Sequence, residues 1–119
     1  MNRVLVVDDD VWQAEHLAQQ LSRAGYRAEV SGHAPQALAQ IDGRVPDCIV
    51  LDIGLPGVNG MALLHELRSH ADLAKIPVVV CTNVRVSLDE LSPYGVVEVL
   101  HKDKIRHGDI VTAVKKVGL

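Results

Sequence analysis

Four short apolar runs, each closed by a side chain capable of chemistry, constrain this chain more than any other feature. Arg3–Asp8 reads Arg-Val-Leu-Val-Val-Asp, and Cys48–Asp52 reads Cys-Ile-Val-Leu-Asp. Ile76–Thr82 is Ile-Pro-Val-Val-Val-Cys-Thr, and Val96–Leu100 leads to Lys102. β-Branched runs without polar alternation suit strands buried on both faces of a sheet. Between them the period changes. Ala14, Leu17, Ala18 and Leu21 form one apolar stripe at helical spacing from Val11 to Ala24, stopped by Gly25. Tyr26–Ser31 fits a further short strand. A helix is expected from Pro35 to Ile41, with Pro35 in its first turn and Gly43 past its end. Leu63, Leu64 and Leu67 mark another helix running to about Ser69, and Asp109–Val117 a last one with Ile110, Val114 and Val117 inward. Strands alternating with helices predict an α/β fold: a doubly wound five-stranded parallel sheet with helices on both faces. Val84–Gly95 is the exception. It has few strong helix formers and carries Pro93 and Gly95, so a fourth helix is expected to be short or irregular.

Composition narrows the class. The 119 residues are 48% hydrophobic and 23% charged, the balance of a folded domain rather than a disordered one. One domain over residues 1–119 is the expectation. A net charge of −3, with both signs interspersed, argues against a nucleic-acid-coating surface. No apolar run approaches the ~20 residues of a membrane span, no signal-peptide pattern follows Met1, and a cytoplasmic location is expected. Cys48 and Cys81 lie in apolar strands and fit neither a disulfide framework nor zinc spacing.

In open parallel sheets, ligands sit beyond the carboxyl ends of the strands. Here those ends carry Asp8–Asp9, Asp52, Thr82 and Lys102. Clustered carboxylates repel, by about 4 kcal/mol at ~4 Å and an effective dielectric near 20, so the cluster invites a hard cation. Oxygen ligands with room for water suit Mg2+. With a cation held, Asp52 can serve as a nucleophile toward phosphorus. Lys102 can supply charge to phosphoryl oxygens and Thr82 a hydroxyl donor. The loop Gly54–Leu55–Pro56–Gly57 can bring backbone amides close.

Taken in order, these residues resemble the receiver domains of two-component response regulators across residues 3 to 117. Val-Val-Asp8-Asp9-Asp10 is similar to the family's acidic pair, and Asp52-Ile-Gly-Leu-Pro56-Gly-Val-Asn-Gly60 to its phosphoacceptor and following landmarks. Val-Val-Val-Cys-Thr82 and Leu-His-Lys102 are similar to its switch threonine and phosphate-pairing lysine. The resemblance implies the flavodoxin-like strand order 2-1-3-4-5. It also implies phosphorylation of Asp52 by a partner histidine kinase or histidine phosphotransfer protein. Asp9, Asp52 and the Gly54 carbonyl would ligate Mg2+, with Asp8 acting through water. Thr82 would close on the phosphoryl group, Lys102 would pair with it, and the amides of Ile53, Gly54 and Asn83 would be further donors. The chain departs from the family at Val99, where an aromatic residue is common, and at Asp103, where proline, often with a cis bond, follows the lysine. Gly54 and Val84 occupy the positions that orient hydrolytic water in the family. Neither can hydrogen-bond a water through its side chain, which implies slow self-hydrolysis.

Other readings fit less well. A dehalogenase-type phosphatase would take Asp8 as nucleophile, but Trp12 breaks its motif and Asp52 goes unused. His65-Glu66-Leu-Arg-Ser-His70 nearly spells a zinc-protease motif, yet its i,i+5 spacing turns the second imidazole off the first one's face. None of the six histidines is expected to be a metal ligand. A dinucleotide site lacks its Gly-rich loop. The remaining alternative is an atypical receiver that acts as a phosphorylation-independent interaction module.

Overall fold

The computed structural model describes residues 2–54 and 60–119. Five parallel strands are hydrogen-bonded in the order β2-β1-β3-β4-β5. They are β1 (Arg3–Val7), β2 (Arg27–Ser31), β3 (Cys48–Leu51), β4 (Val78–Thr82) and β5 (Val96–His101). The helices are α1 (Val11–Arg23), α2 (Ala34–Gly43), α3 (Gly60–Arg68), α4 (Leu88–Leu91) and α5 (Asp109–Lys116).

The central strands are apolar throughout because side chains alternate between two covered faces. Leu5 and Val7, Ile49 and Leu51, Val78 and Val80 pack with α2, α3 and Leu91 of α4. Val4 and Val6, Cys48 and Val50, Val79 and Cys81 pack with α1 and α5. The expected helix stripes are largely buried: Leu17 and Leu21 from α1, Leu63 and Leu64 from α3, Ile110 and Val114 from α5, while Val117, also expected inward, caps α5 and is only half-buried. Each such side chain is worth roughly 1.5–3 kcal/mol relative to exposure.

Helix starts have identifiable causes. Asp10 caps α1 by accepting the Gln13 N–H at 3.1 Å. His33 caps α2 through Nδ1, 3.2 Å from the Gln36 nitrogen. Proline follows in that first turn as expected, but α2 runs two residues beyond Ile41 and includes Gly43. The short α4 exists because Ser87 and Glu90 form a capping box. A 3-10 turn, Ser92–Tyr94, succeeds it, and Gly95 ends the segment at φ 85°, a left-handed conformation that favours glycine. The irregular fourth helix thus matches the sequence expectation.

One ladder is irregular. Val78 pairs with Val96, but Val79 pairs with Glu98, so Val97 is an extra residue at the first step of β5. Beyond it the pairs run regularly to Thr82 and His101. No cis peptide bond occurs among the described residues, so the Lys102–Asp103 bond is trans.

Candidate functional site

The register explains how four strand ends meet. Val7 lies opposite Leu51, which places Asp8 and Asp52 side by side just past the sheet. Leu51 lies opposite Val80, so Thr82 stands one residue further out. Thr82 pairs with His101, and Lys102 is one step beyond again. Backbone bonds continue the ladder into the site: Asp52 N–H donates to the Val7 carbonyl at 2.9 Å and Lys102 N–H to the Thr82 carbonyl at 3.0 Å. The lysine stem is long enough to fold back over the carboxylates.

Its ammonium does so. Lys102 Nζ lies 2.7 Å from Asp8 Oδ2 and 2.8 Å from Asp52 Oδ2. Asp52 Oδ1 accepts the Thr82 hydroxyl at 2.6 Å and the Gly54 N–H at 2.9 Å. Thr82 Oγ1 in turn accepts the Val84 N–H at 3.2 Å, which fixes the direction of its own proton. Asp8 Oδ1 accepts the Asp10 N–H at 2.9 Å. Asp8, Asp52 and Thr82 are buried, whereas Asp9 is exposed at the rim. One carboxylate oxygen from each of Asp8, Asp9 and Asp52 falls within a 4.8 Å cluster.

The two buried acids are not electrostatically equivalent. Burial pushes the Asp52 carboxyl up, but Lys102, Thr82 and the Gly54 amide outweigh it and hold it below the ordinary carboxylate range. For Asp8, burial wins over Lys102 and the Asp10 amide, and the Asp52 charge adds to it, so its carboxyl is raised. Burial works against the Lys102 charge, yet its two carboxylate partners keep the ammonium well above its usual value. Asp52 is thereby favoured in its ionised form, with three donors aimed at it. Asp8, with fewer donors, is the acid that a further cation would relieve most.

The structure brings Asp8, Asp9, Asp52, Thr82 and Lys102 together, as the sequence leads one to expect. Ile53 and Gly54 form the turn directly after Asp52, with Ile53 buried and Gly54 exposed. The Gly54 amide points to Asp52. Asn83 is exposed and lines an open cleft with Arg85, Glu90 and His101. The Leu55–Pro56–Gly57 part of the expected amide loop lies outside the described residues. Gly60, read as a landmark, has a steric reason: a Cβ there would sit 2.4 Å from the Ile53 Cα and 2.8 Å from the Asp52 carbonyl oxygen. A Cβ at Gly54 would meet Val84 Cγ2 at 3.2 Å and Asp52 Oδ1 at 3.3 Å, so the two positions expected to influence hydrolysis lie near each other beside Asp52. Val99 is half-buried against the α2–α3 side of the core. Tyr94 packs there too, its ring edge-on to His65 with centroids 4.8 Å apart.

Sequence reasoning missed two features of the surroundings. The Lys102 ammonium is shared between Asp8 and Asp52, which only the register reveals. The capping box that builds α4 was legible as Ser-x-x-Glu at Ser87–Glu90.

Comparison with known proteins agrees with this geometry. Response regulator MprA of Mycobacterium ulcerans (strain Agy99) is 39% identical over 80 residues, 67% of this chain and 34% of that protein. The same name and extent describe the match in Mycobacterium avium (strain 104). The matched segment spans about a third of the length of these curated relatives. Among solved structures, the signal receiver domain of a signal transduction histidine kinase from Syntrophus aciditrophicus superposes with a TM-score of 0.84 at 28% identity. That match covers 98% of this chain and 89% of the other. Chemotaxis response regulator CheY4 of Vibrio cholerae shares the fold, with a TM-score of 0.87 at 22% identity and 98% of each chain covered. The family described as Response regulator receiver domain matches residues 4–115. The chain belongs to the response regulator receiver domain family, a signalling module of two-component systems.

Proposed function

We propose that residues 1–119 act as one receiver unit in which Asp52 accepts a phosphoryl group from a phosphohistidine on a histidine kinase or histidine phosphotransfer protein. The observation that carries this reading is the double engagement of one buried carboxylate, with Lys102 on Asp52 Oδ2 and Thr82 on Asp52 Oδ1. An Asp52 oxygen forms the new P–O bond as the P–N bond to the donor imidazole breaks, and the electron pair stays with the imidazole. Lys102 then transfers its hydrogen bonding to a phosphoryl oxygen, and Thr82 turns its hydroxyl toward another. The amides of Ile53, Gly54 and Asn83 are assigned as further donors.

The all-oxygen cluster fits a hard divalent cation. Asp8, Asp9 and Asp52, with the Gly54 carbonyl, would hold Mg2+, which when bound neutralises charge that develops on the transferring group. Asp8 would act through a water in that shell. Phosphorylation then alters partner contacts, in a cytoplasmic setting, with the downstream effector set by whatever the module is joined to or meets. Neither Gly54 nor Val84 carries a side-chain polar group that could orient water at Asp52, so the phosphoryl group is expected to be long-lived. A half-life of seconds in Mg2+ would refute that.

A second reading, a phosphorylation-independent docking module, draws on the small Val99 and the four-residue α4. One experiment separates the two. Acetyl phosphate or beryllofluoride with Mg2+ should shift amides around Asp52 and Thr82 in the wild type, with label retained at Asp52 and lost in Asp52→Asn. No shift at millimolar reagent would leave docking as the function.

A further inference from the structure

We propose that His16 and His107 form a second metal site, a dihistidine pair that takes a borderline divalent transition ion such as Zn2+ or Cu2+ and staples α1 to the β5–α5 loop. The two residues are distant in sequence, yet their rings face each other with centroids 6.3 Å apart and planes inclined at 54°. Both are exposed. Among the described residues neither imidazole makes a hydrogen bond or ion pair. Other histidines are engaged: His33 caps α2, His70 meets Glu66 at 3.1 Å, and His65 packs on Tyr94. The ring nitrogens of His16 and His107 therefore keep their lone pairs for a ligand.

The backbone beneath them is already fixed. Gln20 lies one turn beyond His16 on the same face of α1 and is buried. Its Oε1 accepts the Gly108 N–H at 2.9 Å, directly after His107. Gly108 adopts φ 91°, the left-handed corner that glycine permits, and Arg106 N–H donates to Asp109 Oδ2 at 2.8 Å. Ile105 packs on the α1–α5 side of the core. Only the side-chain torsions of two imidazoles need to be ordered on binding.

The spacing suits a shared ion. Metal–nitrogen bonds of about 2.0–2.1 Å put two rings on one tetrahedral ion with centroids roughly 5 Å apart, so side-chain rotations of these two exposed residues must bring the 6.3 Å pair about 1 Å closer. Imidazole favours zinc, copper and nickel, whereas Mg2+ demands oxygen, so this site and the acidic cluster select different ions. Water fills the remaining positions. The tied loop begins right after Lys102, which brings the ion's restraint close to the phosphoryl-accepting site.

The test uses the full chain, 15N-labelled, in millimolar Mg2+ to occupy the acidic cluster. Cu2+ at substoichiometric levels should broaden amides around His16, Leu17, Gln20 and Arg106–Gly108. Zn2+ affinity by calorimetry should fall about tenfold or more in His16→Ala and equally in His107→Ala, and should be unchanged in His33→Ala. Zn2+ should raise the melting temperature of the wild type and of neither variant. Broadening centred on Asp8, Asp9 and Asp52, or retention of affinity in either variant, would overturn the site.

Discussion

Replacing Lys102 by methionine tests the electrostatic arrangement most directly. Among the described residues the ammonium is the only side-chain cation that meets both Asp8 and Asp52, and methionine keeps most of its apolar stem. Without it, two buried carboxylates whose ligand oxygens lie within 4.8 Å face each other. Their repulsion is about 3.5 kcal/mol at an effective dielectric near 20. This repulsion raises the higher of the pair's two apparent pKa values well above the ordinary carboxylate range. The sign for stability follows. With a raised carboxyl the unfolded chain releases its proton first, so Lys102→Met loses stability as pH rises through the ordinary carboxylate range. At pH 7 without metal the loss should be about 3 kcal/mol, within the range for breaking a buried ion pair. Mg2+ should restore much of it and bind more tightly than in the wild type, because no ammonium competes for the same oxygens. Urea unfolding with and without Mg2+, and carboxyl 13C titration of both acids, measure these effects. Unchanged titration together with unchanged or weaker Mg2+ binding would refute the reasoning.

Further expectations concern single groups. Thr82→Val keeps the fully buried shape but removes the donor to Asp52 Oδ1 and the acceptor for Val84 N–H, costing about 1–3 kcal/mol in urea unfolding, while Thr82→Ser costs less. Gly60→Ala forces a methyl into the Ile53 and Asp52 backbone, so it should cost about 3 kcal/mol or more, whereas Gly54→Ala meets a Val84 methyl at 3.2 Å and Asp52 Oδ1 at 3.3 Å, side-chain atoms that can give way, and should cost about 1 kcal/mol. Burial pushes the thiols of Cys48 and Cys81 up to about 12 and about 11. Both should stay protonated and unreactive toward a disulfide reagent at pH 8 in the native protein, then react fully in denaturant; rapid native labelling would contradict their burial.

Much of the fold was legible because local pattern and burial agree. Val4–Val7, Cys48–Leu51 and Val78–Cys81 are apolar on both faces, as the strands of a covered parallel sheet are. Asp8, Asp52 and Thr82 were legible for the same reason, since a strand that is apolar to its end makes a terminal Asp or Thr conspicuous, whereas Lys102 follows a strand that carries Glu98 and His101. What could not be read depends on register and on pairs distant in sequence. Nothing local shows that Lys102 bridges Asp8 and Asp52, that Gln20 holds Gly108, or that Val97 is one residue too many for its ladder. The end of α2 was misplaced because glycine usually stops a helix, and here Gly43 is its last residue rather than the one after.

The surplus residue in β5 reaches beyond the strand that holds it. β5 is an outer strand, and its exposed backbone would otherwise be a template on which another chain could lay a strand. With Val97 out of phase at the first rung, an incoming segment cannot match donors and acceptors along the whole border. The opposite border, β2, carries Arg27 and Glu29 and is similarly uninviting. Both margins of the sheet thereby make poor templates for a further strand, and the irregularity is spent before the ladder reaches Thr82, where spacing matters for Lys102.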